Sequence, residues 1–129
     1  MTDPIADMLN RIKNAQAVDH ATVELPFSNL KYEIAKILER RGFVGPIEKK
    51  GKKVKKTMEI TLKYNDQEPV ILGVKRVSKP GQRIYLSYSQ IRKVKGGRGL
   101  SVISTSQGLM TDQEAKKQRL GGEVICEIW

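Results

Sequence analysis

The sequence predicts an α+β fold in two small lobes, and three observations predict it. Up to Tyr64, apolar residues recur first at helical and then at strand spacing, in alternation. Beyond residue 70, short strand-like runs are separated by Gly and Pro turns, with only brief helical patterns between them. Asn65-Asp66-Gln67-Glu68-Pro69, polar and turn-rich, is the best boundary between the two regimes. The expected organisation is an α-β-α-β-β lobe over 1–64 and a strand-rich lobe with short helices over 65–129.

Asp3-Pro4 opens the first helix, with Asp3 as N-cap and proline pre-set for the first helical position. Ile5, Met8, Leu9 and Ile12 share one face, and the helix should end near Ala17. Thr22 to Phe27 alternates, and Pro26 marks it as an edge strand. Ser28 then caps a second helix with Leu30, Ile34, Ile37 and Leu38 inward and Lys31, Lys36, Arg40 and Arg41 on its polar side. Gly42 ends it, with Phe43 folding back on the last turn. Phe43–Glu48 and Thr57–Tyr64 read as antiparallel strands joined by a lysine-rich hairpin over 49–56. That hairpin is either a solvated turn or a non-specific phosphate contact.

In the second lobe, Val70–Val77 reads as a strand and Ser78-Lys79-Pro80-Gly81 as a turn with Pro and Gly at its centre. Arg83–Tyr88 is the next strand, pointing Arg83, Tyr85 and Ser87 to one face. Ser89 is placed to cap a short helix through Val94, ended by Gly96-Gly97. The stretch from Gly99 starts as a strand, becomes three hydroxyls (Ser104, Thr105, Ser106), turns at Gln107-Gly108 and closes on Thr111. Thr111 and Glu114 have the spacing of a capping box, opening a helix from Asp112 to about Leu120. Gly121-Gly122 ends that helix, and Glu123–Trp129 is a closing strand.

Hydroxyls, backbone N–H groups and a helix start gathered at one point would suit phosphate oxygens or ribose hydroxyls. The same hydroxyls could equally satisfy the turn's own backbone. The surroundings favour the first reading. From Pro69 to Thr111 there is no Asp or Glu, while Lys75, Arg76, Lys79, Arg83, Arg92, Lys93, Lys95 and Arg98 are all basic. A surface selected for solubility alone mixes signs, so an acid-free stretch of this length points to a polyanion. The formal net charge of +10 divides evenly at Tyr64, +5 on each side, which suits a folded nucleic-acid binder better than a globule with a basic tail.

Other classes find little support. One cysteine, Cys126, and one histidine, His20, exclude a disulfide within the chain, a Cys-based metal site and a multi-histidine metal site. No P-loop lysine follows a glycine turn, and no Gly-x-Gly-x-x-Gly opens a helix. A small phosphate-ester enzyme using Ser104–Ser106 is the alternative, but the hydroxyls have no histidine near them in sequence. No apolar segment approaches membrane-spanning length and no signal peptide opens the chain, so a cytosolic setting is the default. Aromatics are only 5%, which disfavours sheet-mounted base stacking and leaves structured RNA, gripped at backbone, 2′-hydroxyls and minor-groove edges.

Ser-Thr-Ser-Gln-Gly-Leu-Met-Thr-Asp at 104–112, Gly-Gly-Glu-Val-Ile-Cys at 121–126, the opening stretch at 3–15 and Val-Ser-Lys-Pro-Gly at 77–81 resemble the bacterial small-subunit ribosomal protein eight family over nearly the whole chain. The resemblance implies a two-lobed, non-catalytic protein without cofactor. It would bind the central domain of small-subunit ribosomal RNA directly, in the cytoplasm, beside neighbouring small-subunit proteins and with no homo-oligomer required. It further implies that Ser104, Thr105, Ser106 and Gly108 lie in a minor groove, with Gly122 and Glu123 beside them and Tyr85 in support. Thr2, Asp3, Pro4 and Lys31 would make a second, weaker RNA contact. Some members of the family also repress their own operon through an mRNA that mimics the ribosomal site. The sequence departs from the family at Arg92, where proline is common, at Arg98, where an apolar residue is common, and at Ser101, where Ala is more usual.

Overall fold

A computed structural model describes residues 3–52 and 54–129; Thr2, one of the residues implicated above, lies outside them. They form two compact units, Pro4–Ile71 and Leu72–Trp129, the latter including Asp3.

The first unit runs α1 (Pro4–Ala17), β1 (Thr22–Pro26), α2 (Asn29–Arg40), β2 (Val44–Lys50) and β3 (Thr57–Leu62). It closes on a small hairpin, β4 (Tyr64–Asn65) and β5 (Glu68–Pro69). The sheet order is β1-β3-β2, all antiparallel. Both outer strands carry a proline, Pro26 and Pro46, and the central strand carries none, as the missing N–H of proline requires. Met58, Ile60 and Leu62 alternate inward along β3, and Met8, Leu9 and Ile12 of α1 and Ile34 and Leu38 of α2 are buried with them. The α2 helix begins on Ser28, whose hydroxyl accepts from the Lys31 N–H at 3.2 Å. It ends in a Schellman turn: Phe43 N–H donates to Leu38 O, Gly42 N–H donates to Glu39 O, and Gly42 has φ +79°.

Two expectations for α2 fail together. Leu30, in the first turn, is exposed although it shares the face of Ile34 and Ile37, and Lys31 is buried on the side of Ala35 and Leu38. The Lys31 stem lies on that side and its ammonium donates to Pro26 O at 3.3 Å. The polar stretch at 65–69 is itself structured: Asp66 and Gln67, at φ +49° and +70°, form the two-residue turn between β4 and β5.

The second unit runs β6 (Val74–Arg76), β7 (Tyr85–Leu86), β8 (Leu100–Thr105), β9 (Gly108–Thr111), α3 (Asp112–Lys117) and β10 (Gly122–Ile128). Its antiparallel sheet has the order β6-β10-β8-β9, with β7 also pairing β10. Ile103 and Val124 on one face, with Met110, pack against Ala115 of α3 and Ile91. The strand expected over Val70–Val77 shrinks to three residues. The N–H groups of Leu72 and Gly73 both turn to Trp129 O, and the Trp129 ring lies where a Gly73 side chain would be. The strand expected over Arg83–Tyr88 is only Tyr85–Leu86. The expected Ser89-capped helix is a single 3-10 turn, Tyr88–Gln90, that starts on Ser87, whose N–H donates to Gln90 Oε1 at 2.9 Å. A second such turn, Lys95–Gly97, follows, and Ile91 and Val94 anchor the segment between them.

Candidate nucleic-acid interface

Thr105 pairs with Gly108, Ser104 with Leu109, Ile103 with Met110 and Val102 with Thr111, so residues 100–111 form one hairpin. This corrects the expectation of a strand running through a turn directly into a helix. Gly108–Thr111 is a strand, because β8 offers it a row of backbone partners, and the turn residues are Ser106 and Gln107. The capping box is present: Thr111 Oγ1 accepts from Glu114 N–H at 3.2 Å, and Glu114 Oε1 accepts from Thr111 N–H at 3.1 Å. It stands three residue pairs, about 10 Å, from the hydroxyl tip. Helix start and hydroxyls therefore do not meet at one point.

At the tip, Thr105 works on its own backbone. Its hydroxyl donates to Gly108 O at 2.8 Å and accepts from Gln107 N–H at 3.1 Å. Gly108 holds φ +108°, a conformation that a side chain would strain. Thr105 thus braces the turn. Among the described residues, the hydroxyls of Ser104 and Ser106 have no hydrogen-bond partner, so their donors and acceptors are available to a ligand.

Cross-strand register extends the tip into a row. Ser104 pairs with Glu123, and Glu123 pairs on its other side with Tyr85, so the three side chains stand on one face across β8, β10 and β7. Tyr85 is 67% exposed, a large ring left facing solvent. Glu123 Oε2 accepts from the Arg83 guanidinium at 3.1 Å. A carboxylate only accepts, so Glu123 suits a 2′-hydroxyl or an exocyclic amine and repels phosphate, while Arg83 offsets that repulsion nearby. Further along the same face, Leu100, Val102, Cys126 and Ile128 are buried, so the face grades from apolar to polar toward the tip.

Gly122 makes the close strand approach possible, since a Cβ there would strike the Ser104 carbonyl. Gly121 is equally confined, 2.5 Å from Leu86 O at its would-be Cβ. The structure thus brings Ser104, Thr105, Ser106, Gly108, Gly122, Glu123 and Tyr85 to one end of one sheet. Asp3 is placed elsewhere. Its carboxylate accepts from Arg76 Nε at 3.1 Å, beside β10 at Cys126 rather than at Glu123. Pro4 and Lys31 belong to the first unit; Pro4 is exposed, while Lys31 is covered and committed to Pro26 O.

The roles of two residues at this site escaped the sequence reading. The sequence places Arg83 in the basic run and on one strand face with Tyr85 and Ser87, but does not reveal that it is the partner of Glu123. Ser78 is fully buried; its hydroxyl accepts from Ile84 N–H at 2.8 Å and faces Ile84 O at 3.2 Å, closing the Lys79–Gln82 turn that delivers Tyr85. A serine just ahead of a Pro-Gly turn was the available signal for it.

A basic, two-unit α+β chain with a donor-rich hairpin at a sheet end is the class of protein that these features define. The family model described as Ribosomal protein S8 matches residues 3–129. The small ribosomal subunit protein uS8 of Exiguobacterium sp. (strain ATCC BAA-1283 / AT1b) is 54% identical to it, covering 100% of this chain and 98% of the relative. The uS8 proteins of Clostridium novyi (strain NT) and of Natranaerobius thermophilus are each 52% identical, with the same coverage. The chain belongs to the ribosomal protein S8 family, whose members are structural proteins and not enzymes.

Proposed function

We propose that this protein is a structural constituent of the bacterial small ribosomal subunit, working in the cytoplasm within the ribosome. It binds the central domain of small-subunit ribosomal RNA directly and helps to organise its assembly beside neighbouring small-subunit proteins. The second unit is the principal RNA-binding lobe. The observation that carries this reading is the row of Tyr85, Glu123 and Ser104 running into a braced tip whose Ser104 and Ser106 hydroxyls are unspent. Short donors and acceptors on a sheet end can enter the wide, shallow minor groove of an RNA helix and meet ribose hydroxyls and base edges. Tyr85 offers an aromatic face for ribose or base.

Thr105 and Gly108 shape the tip, and Gly122 lets β10 approach closely enough to set Glu123 beside Ser104. Asp3, Pro4 and Lys31, with Thr2, are the residues of a weaker second contact. For Asp3 and Lys31 the role is indirect, through Arg76 and Pro26. Translational control through an mRNA that mimics the ribosomal site would use the same tip.

A filter-binding titration against the central-domain fragment, with a scrambled hairpin as competitor, tests the reading. Preference for the ribosomal fragment, lost in Ser104→Ala/Thr105→Ala/Ser106→Ala, is the expected result. Equal binding to both RNAs would overturn it.

A further inference from the structure

The hydroxyl tip leaves much of the acid-free basic run unused. Arg76 is held by Asp3 and Arg83 by Glu123. Arg92 and Lys93, by contrast, form one wall of a groove of about 320 Å³ whose other wall is Gln113, Lys116 and Lys117 of α3. These three helix residues share one face by their i, i+3, i+4 spacing. All five side chains are exposed. The one carboxyl in the groove, Asp112, is 3% exposed and accepts from the Ser101 N–H at 3.3 Å, so it is turned into the protein. Among the described residues, none of the four cations is ion-paired.

The groove is not part of the tip. Ile103 and Val124 face α3. Their chain neighbours Ser104 and Glu123 therefore face the other way, and the groove lies on the reverse side of the sheet from the Tyr85–Glu123–Ser104 row. Four exposed cations line the groove while its one carboxyl is buried, so the surface offered to a ligand is positive and favours an anion. The guanidinium fork of Arg92 matches phosphate oxygens in pairs, and the lysines act as point charges around it. No aromatic or exposed apolar side chain lines the groove, which is the anchor that a protein partner would require.

We propose that this groove is a further RNA contact, distinct from the tip and from the contact at Thr2, Asp3, Pro4 and Lys31, gripping phosphates of a stretch of RNA other than the one at the tip, without reading sequence. It rests on the RNA-binding function proposed above and extends it to the opposite face of the sheet.

The test titrates the full chain against the central-domain fragment over a series of salt concentrations. The variants are Arg92→Gln/Lys93→Gln/Lys116→Gln/Lys117→Gln and the milder Lys116→Gln/Lys117→Gln, which alters only two exposed helix positions. A charge-matched Lys52→Gln/Lys55→Gln control and Thr105→Ala complete the set, and circular dichroism verifies folding. The quadruple variant should bind about tenfold or more weakly at low salt and flatten the slope of log affinity against log salt by about 3. The helix double variant should lose about half as much slope, and more than its control. Both should keep the preference over the scrambled hairpin, whereas Thr105→Ala should lose preference and keep its slope. Groove variants indistinguishable from the control in slope and affinity would overturn the proposal. So would polyglutamate that binds the wild type through the groove as tightly as RNA does, since that would assign the surface to an acidic protein. Were the wild type to show no preference between RNAs, the proposed function would fail on that arm alone, and the groove would still be judged by the slopes.

Discussion

Thr105 shows how one hydroxyl serves structure and function together. Because it holds both Gln107 N–H and Gly108 O, its removal should loosen the tip and misplace Ser104 and Ser106. Thr105→Ala is expected to weaken RNA binding by roughly 5- to 150-fold, about 1–3 kcal/mol, and Thr105→Ser to restore most of it. Filter binding reads both. Gly122 is intolerant for a different reason: Gly122→Ala drives a methyl into the Ser104 carbonyl and should cost roughly 1–3 kcal/mol in urea denaturation. Cys126 is sealed in the second unit, and burial pushes its thiol up to about 12, from an ordinary value of 9.0. The unfolded chain loses this proton first, so the associated stability is fully present below about pH 9 and is lost as pH rises toward 12. Folded protein should therefore resist thiol labelling at pH 8 and label promptly in denaturant.

At the scale of single elements, the ends of helices carry measurable energy. The α3 helix has only six residues and depends on its reciprocal Thr111–Glu114 cap. Thr111→Ala should cost about 1 kcal/mol, with Thr111→Ser nearly neutral, in chemical denaturation followed by circular dichroism. Element boundaries set by local chemistry were legible: Pro4 and Ala17 for α1, Ser28 and Gly42 around α2, Thr111 before α3. Boundaries set by neighbours were not. The strands expected over Val70–Val77 and Arg83–Tyr88 contract to Val74–Arg76 and Tyr85–Leu86, because strand length depends on what β10 can pair with.

Charge belongs to the whole molecule. Each half of the chain, divided at Tyr64, carries the same excess of basic residues, so RNA affinity should fall steeply with salt, as it does wherever phosphate contacts release counterions. Lys52 lies in the lysine-rich hairpin, remote in sequence from the tip. Lys52→Ala should lower affinity by less than about threefold and only flatten the salt slope slightly, in the same titrations. A loss as large as that of Thr105→Ala would place the principal contact in the first unit.

The sequence by itself determined whatever depends on a few adjacent residues. These are the caps at Ser28 and Thr111, the edge position of the strand bearing Pro26, the even spread of positive charge, and the family motifs at 104–112 and 121–126. Such features arise from backbone geometry over one or two turns of chain, which local composition specifies. Only the tertiary structure decided that Gly108–Thr111 is a strand, since its pattern becomes one only when β8 supplies the hydrogen-bond partners. It likewise decided that Lys31 is covered, that Arg83 answers Glu123, and that Arg92 and Lys93 meet Lys116 and Lys117 across a groove. Each of these joins residues that are far apart in sequence or at an unpredictable rotation about a helix axis, and their meeting is fixed by how strands and helices pack.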